Sequence, residues 1–169
     1  KFSCGSHCEG RLAVKGALAY IVDNNSQPNV DMGQVEEMKK TILKPLDVYE
    51  QHKDYTDSDV NPNFIVPMQY MFRLQKIMDE YVGGVSAAFM TNKQSLDRSL
   101  VLLDMLKEDA ENLAARDLNE LMRVWENVHR TWQAEVHART VLFREETRWP
   151  GYYFRADTPK MDEDNWKVF

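Results

Sequence analysis

The sequence DLNELMRVWENVHRTWQAEVHARTVLF, residues 117–143, decides the fold class. Apolar side chains recur in it every three or four residues, which is the spacing of one face of an α-helix. Asp117 and Glu120 come just before this pattern, as is typical of a helix start, where acidic side chains bond free backbone N–H groups. We therefore predict a long amphipathic helix that starts at Asp117. Its predicted inner face consists of Leu118, Leu121, Met122, Trp125, Val128, Trp132, Val136 and Phe143.

The first 62 residues contain two more helical patterns. Ser6 and Glu9 have the spacing of a capping box, so we predict that Ser6 is the N-cap of a first helix that ends near residue 23. A second helix is predicted over 31–44, where Pro45 would end or kink it because proline lacks a backbone N–H. The charged, turn-rich residues 51–62 are predicted to form a flexible connection.

Two further helices are predicted before residue 117. One follows Pro67 and is interrupted near its end by Gly83 and Gly84, and the other follows a second capping-box pattern at 91–94. No run of residues alternates with the period of a β-strand. We therefore predict a mainly α fold in which three successive helices, joined by short links, form an antiparallel bundle.

Loop- and turn-forming residues between the helical patterns divide the chain into four parts. Residues 1–25 hold the first helix, 26–62 form a linking helix and loop, and 63–147 form the helical bundle domain. Residues 148–169 form an irregular tail that is rich in aromatic side chains. Four aromatic residues around a Pro-Gly turn need a cover, which either internal packing or an interface with a partner would supply.

Composition and charge exclude several classes of protein. The 169 residues include 21 basic and 27 acidic side chains, and the resulting net charge of −6 disfavours nucleic acid and anionic membranes as partners. The sequence contains no stretch of 18 consecutive apolar residues, so no transmembrane segment is predicted. Because the chain starts without Met, we expect a piece of a longer protein. Cys4 and Cys8 are read as free thiols in a reduced, cytoplasmic compartment, and no metal site is predicted.

Few residues are candidates for chemistry on sequence grounds. The Gly5-Ser6 turn could present free backbone N–H groups to an anionic ligand such as a reduced flavin, although a plain capped helix explains the same residues. The histidines at positions 52, 129 and 137 are read as surface or satisfied side chains rather than metal ligands. The charged residues 144–148 are read as a solvated helix end or an ion-pair network.

Four segments carry a resemblance to known proteins. KFSCGSHCEGR (1–11) resembles a flavin-contacting segment of the fumarate reductase/succinate dehydrogenase flavoprotein superfamily. QKIMDEYVGGV (75–85), the stretch 106–118 and FREETRWPGYY (143–153) resemble the family of dissimilatory adenylylsulfate reductase α subunits. The resemblance covers nearly the whole chain and is weakest over about 24–59. It implies that residues 1–25 are the C-terminal end of an incomplete FAD-binding domain and that a C-terminal helical domain follows.

The resemblance implies a reductase that interconverts adenosine 5′-phosphosulfate with AMP and sulfite, with FAD as its cofactor. It places Ser6, His7 and Glu9 at the flavin. It places Lys1 as a substrate contact and Phe2 as a wall of the active site, although His7 stands where relatives often have Phe. The implied partner is a β subunit that holds the [4Fe–4S] clusters. We expect the 169 residues alone to be inactive, because most active-site residues would lie upstream.

Two alternatives remain at this stage. A flavoprotein of the fumarate reductase or succinate dehydrogenase type would keep the superfamily but change the substrate, and the stretch 147–152 disfavours it because those relatives carry a different motif there. A helical interaction module, in which the aromatic tail docks a partner, would instead fold and bind without flavin.

Overall fold

The computed structural model describes residues 2–24, 26, 29–57, 60–149 and 153–166, and the side chains from residue 5 onward. The chain divides into two compact units, Lys1–Met38 and Lys39–Phe169. The first unit contains α1 (Phe2–Asp23) and the start of α2 (Met32–His52). The second unit continues with a 3-10 helix at Lys53–Tyr55, α3 (Pro67–Tyr81), β1 (Met90–Thr91), α4 (Lys93–Asp109), a 3-10 helix at Ala110–Asn112, α5 (Leu118–Phe143), β2 (Phe154–Arg155) and α6 (Glu163–Trp166). The predicted mainly α fold is confirmed.

Helices α3, α4 and α5 form the core of the second unit. Thr91, just before α4, donates its hydroxyl to the carbonyl of Tyr81 at the end of α3, whereas Arg73 in α3 pairs with Asp109 at the end of α4. Helix α4 is therefore antiparallel to α3, as predicted. The apolar side chains buried between the three helices include Tyr70, Leu74, Leu96, Leu103, Leu106, Leu121, Val124 and Ala138.

A buried line of polar groups fixes α3 against α5. The amide of Asn127 donates to the carbonyl of Pro67 at 2.8 Å, and the hydroxyl of Thr131 donates to the carbonyl of Asn127 at 2.9 Å. Since that bond uses the only proton of the Thr131 hydroxyl, the Tyr70 hydroxyl 3.0 Å away is the donor to Thr131. All of these groups are paired, so their burial specifies the register of the two helices without leaving an orphaned polar atom.

The predicted inner face of α5 is wrong for most of its members. The side chains that α5 buries are Leu121, Val124, Asn127, Thr131, Ala134 and Ala138. Leu118, Met122, Trp132, Val136 and Phe143 are exposed instead. The reason is that α5 has two apolar faces, and the larger side chains lie on the outer one. The small and polar residues of the inner face suit the close approach of α3 and α4.

The start of α5 was predicted correctly, whereas the end of α2 was not. The carboxylate of Asp117 accepts the backbone N–H of Glu120 at 2.8 Å, as a helix cap requires. Helix α2 continues through the buried Pro45 to His52. The carbonyl of Ile42 accepts the indole N–H of Trp125 and that of Pro45 accepts the N–H of Ala115. These tertiary bonds hold α2 across the proline.

The link between α3 and α4 contains an unusual turn. Gly83 has a φ of +85°, a conformation that favours glycine, and a side chain at Gly84 would clash with Asp79. The turn leads into β1, which pairs in parallel with β2 of the tail, Met90 opposite Phe154. The next helix is capped by Asn92, whose side chain accepts the N–H of Ser95 at 2.8 Å. The N-cap is thus Asn92 rather than the predicted Thr91.

We expect Leu103→Ala to lower the free energy of unfolding by about 3 kcal/mol, because it leaves a cavity in the α3–α4–α5 core. Leu103 is fully buried. Chemical denaturation followed by circular dichroism measures the change. The control is Val101→Ala on the exposed face of the same helix, with an expected change within about 0.5 kcal/mol. Equal effects of the two substitutions would contradict the assignment of the core.

Candidate functional site

The segment that sequence predicts to contact flavin forms the first turns of α1. Lys1 lies outside the described residues, and Phe2 begins the helix, with its side chain outside the description. Ser6 lies inside α1, so the prediction that it is an N-cap is wrong. A helix leaves only its first four backbone N–H groups without an internal partner. Those groups therefore precede Ser6, and the predicted Gly5-Ser6 turn is helical.

The described side chains of α1 are exposed along the whole helix. His7 and Glu9 are exposed, and a side chain added at Gly5, Gly10 or Gly16 would meet no atom within 4 Å. The thiol of Cys8 is free and exposed. Apolar residues are exposed around the whole helix: Leu12, Val14, Leu18, Tyr20, Ile21 and Val22. A helix that is apolar on all sides is normally covered in the complete protein.

A second cluster of functional interest lies where α5 ends. The side chain of Glu146 is completely buried and accepts hydrogen bonds from Arg148 at 2.8 and 3.0 Å, Arg144 at 2.8 Å, and the N–H of Asp162 at 2.8 Å. The Arg148 guanidinium is the main cause that lowers the pKa of Glu146 to about 2, and the other donors add to it. Of the two readings for 144–148, the ion-pair network is therefore the correct one.

Arg155 joins the tail to the ends of two helices. Its guanidinium is buried and donates to the carbonyls of Val141, Leu142 and Arg144, which the end of α5 leaves without internal partners. The same group donates to both carboxylate oxygens of Asp157, at 2.9 and 2.8 Å. This pairing lowers the pKa of Asp157 to about 2.

Asp157 extends the connection to α4. Its carboxylate accepts the backbone N–H of Lys93, the first residue of that helix, at 2.9 Å. One Arg–carboxylate pair thus satisfies the free carbonyls of α5 and a free N–H of α4. The sequence places Arg155 and Asp157 within the irregular tail and singles out neither of them. An Arg-x-Asp pattern shortly after a predicted helix end could indicate a side chain that bonds the free carbonyls of that helix. The pattern does not predict that Arg155 is buried.

An aromatic cavity of about 400 Å³ lies beside this network. The ring of His137 contacts that of Tyr153, with 5.3 Å between the centroids, and burial lowers the pKa of His137. Trp149 lines the same cavity and is exposed. Residues 149–155 of the tail therefore differ in exposure. Arg155 is buried, Trp149 is exposed to solvent, and Pro150 to Tyr152 lie outside the described residues. Internal packing and an open surface both occur in this block.

The described side chains offer neither a metal centre nor a membrane span. Among the residues that the structure describes, no three His, Cys, Asp or Glu side chains come together as metal ligands. Over the same part of the chain, no helix is both long and apolar enough to cross a bilayer.

The fold is shared with a chain of the Sdh1 complex of Mycobacterium smegmatis. A structure of the Mycobacterium smegmatis Sdh1 complex in the apo form matches 90% of this chain and 23% of its own, with a TM-score of 0.64 and 24% identity. That identity is low, so this comparison supports the fold alone. The family models that were searched include no match.

The particular likeness is to adenylylsulfate reductase. The adenylylsulfate reductase subunit alpha of Megalodesulfovibrio gigas is 44% identical over 170 aligned positions, which are 100% of this chain and 26% of the relative. The structure of the Archaeoglobus fulgidus reductase has a TM-score of 0.88 and 52% identity over 94% of this chain and 25% of its own. A structure of adenosine-5-phosphosulfate reductase with sulfite as a covalent adduct matches with the same four values. The predicted resemblance is confirmed, and the chain spans about a quarter of the length of these relatives.

We expect the free energy of unfolding to fall as the pH is lowered from about 4.5 to about 2, because Glu146 titrates in this range. The pKa of Glu146 is lower in the folded state than its ordinary value of 4.5. Its stabilising effect is therefore complete above pH 4.5 and is lost as the pH approaches the folded pKa. Urea denaturation at a series of pH values measures the slope.

The control for this titration is Glu146→Gln, which keeps the shape of the side chain and removes the charge. Its slope between pH 4.5 and pH 2 is expected to be shallower than that of the unsubstituted protein, with Asp157 responsible for part of what remains. Identical slopes would show that Glu146 is not responsible.

Proposed function

We propose that the chain is part of the flavin-binding α subunit of an adenylylsulfate reductase, which interconverts adenosine 5′-phosphosulfate with AMP and sulfite. The observation that carries this proposal is the agreement of sequence and shape: 44% identity over the whole chain to one relative, and a TM-score of 0.88 at 52% identity to a solved reductase. Because the chain spans about a quarter of such a subunit, most catalytic groups would come from the remainder.

FAD is the proposed cofactor, and the start of α1 is its proposed contact. The donor set is suitable, since the exposed His7 and Glu9 supply polar groups and Gly5 and Gly10 leave the helix surface open. Ser6 would contribute through its position in the same turn. Because α1 begins at Phe2, the free backbone N–H groups that could meet the flavin lie before Ser6. When bound, FAD supplies the electron-carrying chemistry of the reduction.

Lys1 and Phe2 are the proposed contacts to substrate. A lysine ammonium offers a positive charge to the sulfate or phosphate group of the substrate, and three rotatable N–H donors. Phe2 would form an apolar wall that excludes water from the reacting group. Lys1 and Phe2 come six and five positions before His7 in the sequence, so cofactor and substrate contacts would lie near each other at the start of α1.

A second subunit is the proposed source of electrons. The chemistry requires electron carriers beyond the flavin, and a β subunit that holds [4Fe–4S] clusters would supply them. The proposed location is the cytoplasm, where such clusters and the free thiol of Cys8 remain reduced.

The alternative functions have weaker support. A fumarate reductase or succinate dehydrogenase function relies on a fold match at 24% identity, against 52% for the adenylylsulfate reductases. A helical interaction module without catalysis does not account for a likeness that runs through both units of the chain.

The proposed function is tested on the complete α subunit, purified with its partner and assayed with an artificial electron acceptor. We expect oxidation of sulfite that depends on AMP, and no oxidation of succinate. The 169-residue chain alone is expected to bind FAD poorly, because it contains only the proposed edge of the flavin site. Succinate oxidation, or strong FAD binding by the chain alone, would overturn the proposal.

Replacement of Lys1 by Met should lower kcat/KM for sulfite and AMP by at least roughly tenfold, or about 1.4 kcal/mol, because the substrate loses a positive partner. Lys15→Met is the matched control, since Lys15 is exposed further along the same helix. Its kcat/KM is expected to be unchanged. A Lys1→Met enzyme with unchanged kcat/KM would remove Lys1 from the proposed site and leave the rest of the proposal standing.

A further inference from the structure

Helix α5 is apolar on two sides, and the described residues of the second unit bury one of them and cover the other only in part. The inner side contacts α3 and α4 through small and medium side chains such as Ala134 and Ala138. The opposite side, here called the outer face, carries larger side chains. It consists of Leu118, Met122, Trp125, His129, Trp132, Val136 and Phe143.

Most of the outer face is open to solvent. Met122 is 58% exposed, Trp132 53% and Val136 65%. Trp125 is partly covered by α2, to which its indole N–H donates at Ile42. At about 1.5 Å per residue, the outer face runs for about 37 Å. An apolar strip of this length is larger than the scattered apolar residues of an ordinary surface, so it indicates an interface.

The spacing of the outer face suits a helix as its cover. Its members alternate steps of three and four residues from Leu118 to Val136, the pattern by which one helix receives the side chains of another. Two ring contacts join the side chains in its middle: Trp125 to His129 at 6.3 Å and His129 to Trp132 at 5.2 Å between centroids.

A cavity adjoins the outer face and could receive an anchoring side chain. It has a volume of about 530 Å³ and lies between the second half of α2 and α5. Trp125 and Trp132 belong both to the outer face and to the wall of this cavity. Pro45 and Val128 supply further apolar wall, and Lys44 lies at the α2 side. A large apolar side chain would fit in this cavity, next to the rings of Trp125 and Trp132.

The length of the relatives indicates where the cover comes from. This chain corresponds to 26% of one relative and 25% of another, so about three quarters of such a polypeptide lies outside it. We propose that a helix from that remainder of the same α subunit lies along the outer face and places an apolar side chain in the adjoining cavity. This inference depends on the proposed function for the existence of the longer subunit.

The test uses the complete α subunit with Met122→Cys and measures the rate of alkylation at that position by peptide mass spectrometry. We expect the native protein to react at least about 100-fold more slowly than the protein in denaturant, because a covered group reacts only through local opening. Glu108→Cys, at an exposed position of α4, is the control and should react at similar rates in both states. If the position-122 variant fails to fold, hydroxyl-radical oxidation of Trp132 in the unsubstituted subunit gives the same information.

Each other result overturns the inference in a distinct way. Rapid alkylation in the native subunit would mean that the outer face is uncovered. Protection that appears only with the partner subunit would assign the outer face to that subunit. Protection that increases with protein concentration, together with a dimer in light scattering, would assign it to a second copy. None of these readouts uses sulfite or AMP, so failure here is distinguishable from failure of the proposed function.

Discussion

The guanidinium of Arg155 is the group on which the packing of the tail against the helices of the second unit depends. The end of a helix leaves carbonyl groups without hydrogen-bond donors. At the end of α5, Arg155 donates to three such carbonyls, which would otherwise lack these bonds. A buried cation needs a counter-charge, which Asp157 supplies while it also bonds the start of α4. One ion pair therefore joins the tail to the end of α5 and to the beginning of α4.

Glu146 repeats this arrangement a few residues earlier in the chain. It is a buried anion that two arginines and a backbone N–H surround, whereas Arg155 is a buried cation that carbonyls and one carboxylate surround. Neither site has the open, partly solvated character that catalysis needs, and all of their described polar contacts are internal. We therefore infer that both pairs hold residues 153–166 against the bundle, and the start of α1 remains the proposed place of the chemistry.

The helices could be predicted from sequence because local rules determine them. The acidic cap at Asp117, the glycines after Tyr81 and the spacing of leucines in α4 act within a few residues. Two predictions failed where distant contacts decide the structure. Pro45 stays helical because α5 and its preceding loop bond the nearby carbonyls, and the large residues of α5 face outward because α3 needs a close approach. Ser6 lost its predicted cap because the helix extends further upstream.

The candidate site could be predicted from sequence only through its resemblance to known proteins. A stretch of eleven residues with Gly5, Ser6 and His7 has no local rule that names FAD, and the structure adds an open helix surface there rather than a pocket. Arg155 is the reverse case, because its contacts with the end of α5 are evident in the structure and are not predicted by the residues around it.

The parallel pair of β1 and β2 has a consequence for the order of folding. It joins residues 90 and 154, which enclose α4 and α5 in one long loop. Contacts between residues so far apart form late, because the loop between them must close first. During synthesis α3, α4 and α5 can therefore pack before β2 leaves the ribosome. The tail then closes the unit as its final step, and a polypeptide that stopped before Phe154 would keep its helices while the last turn of α5 stayed open to water.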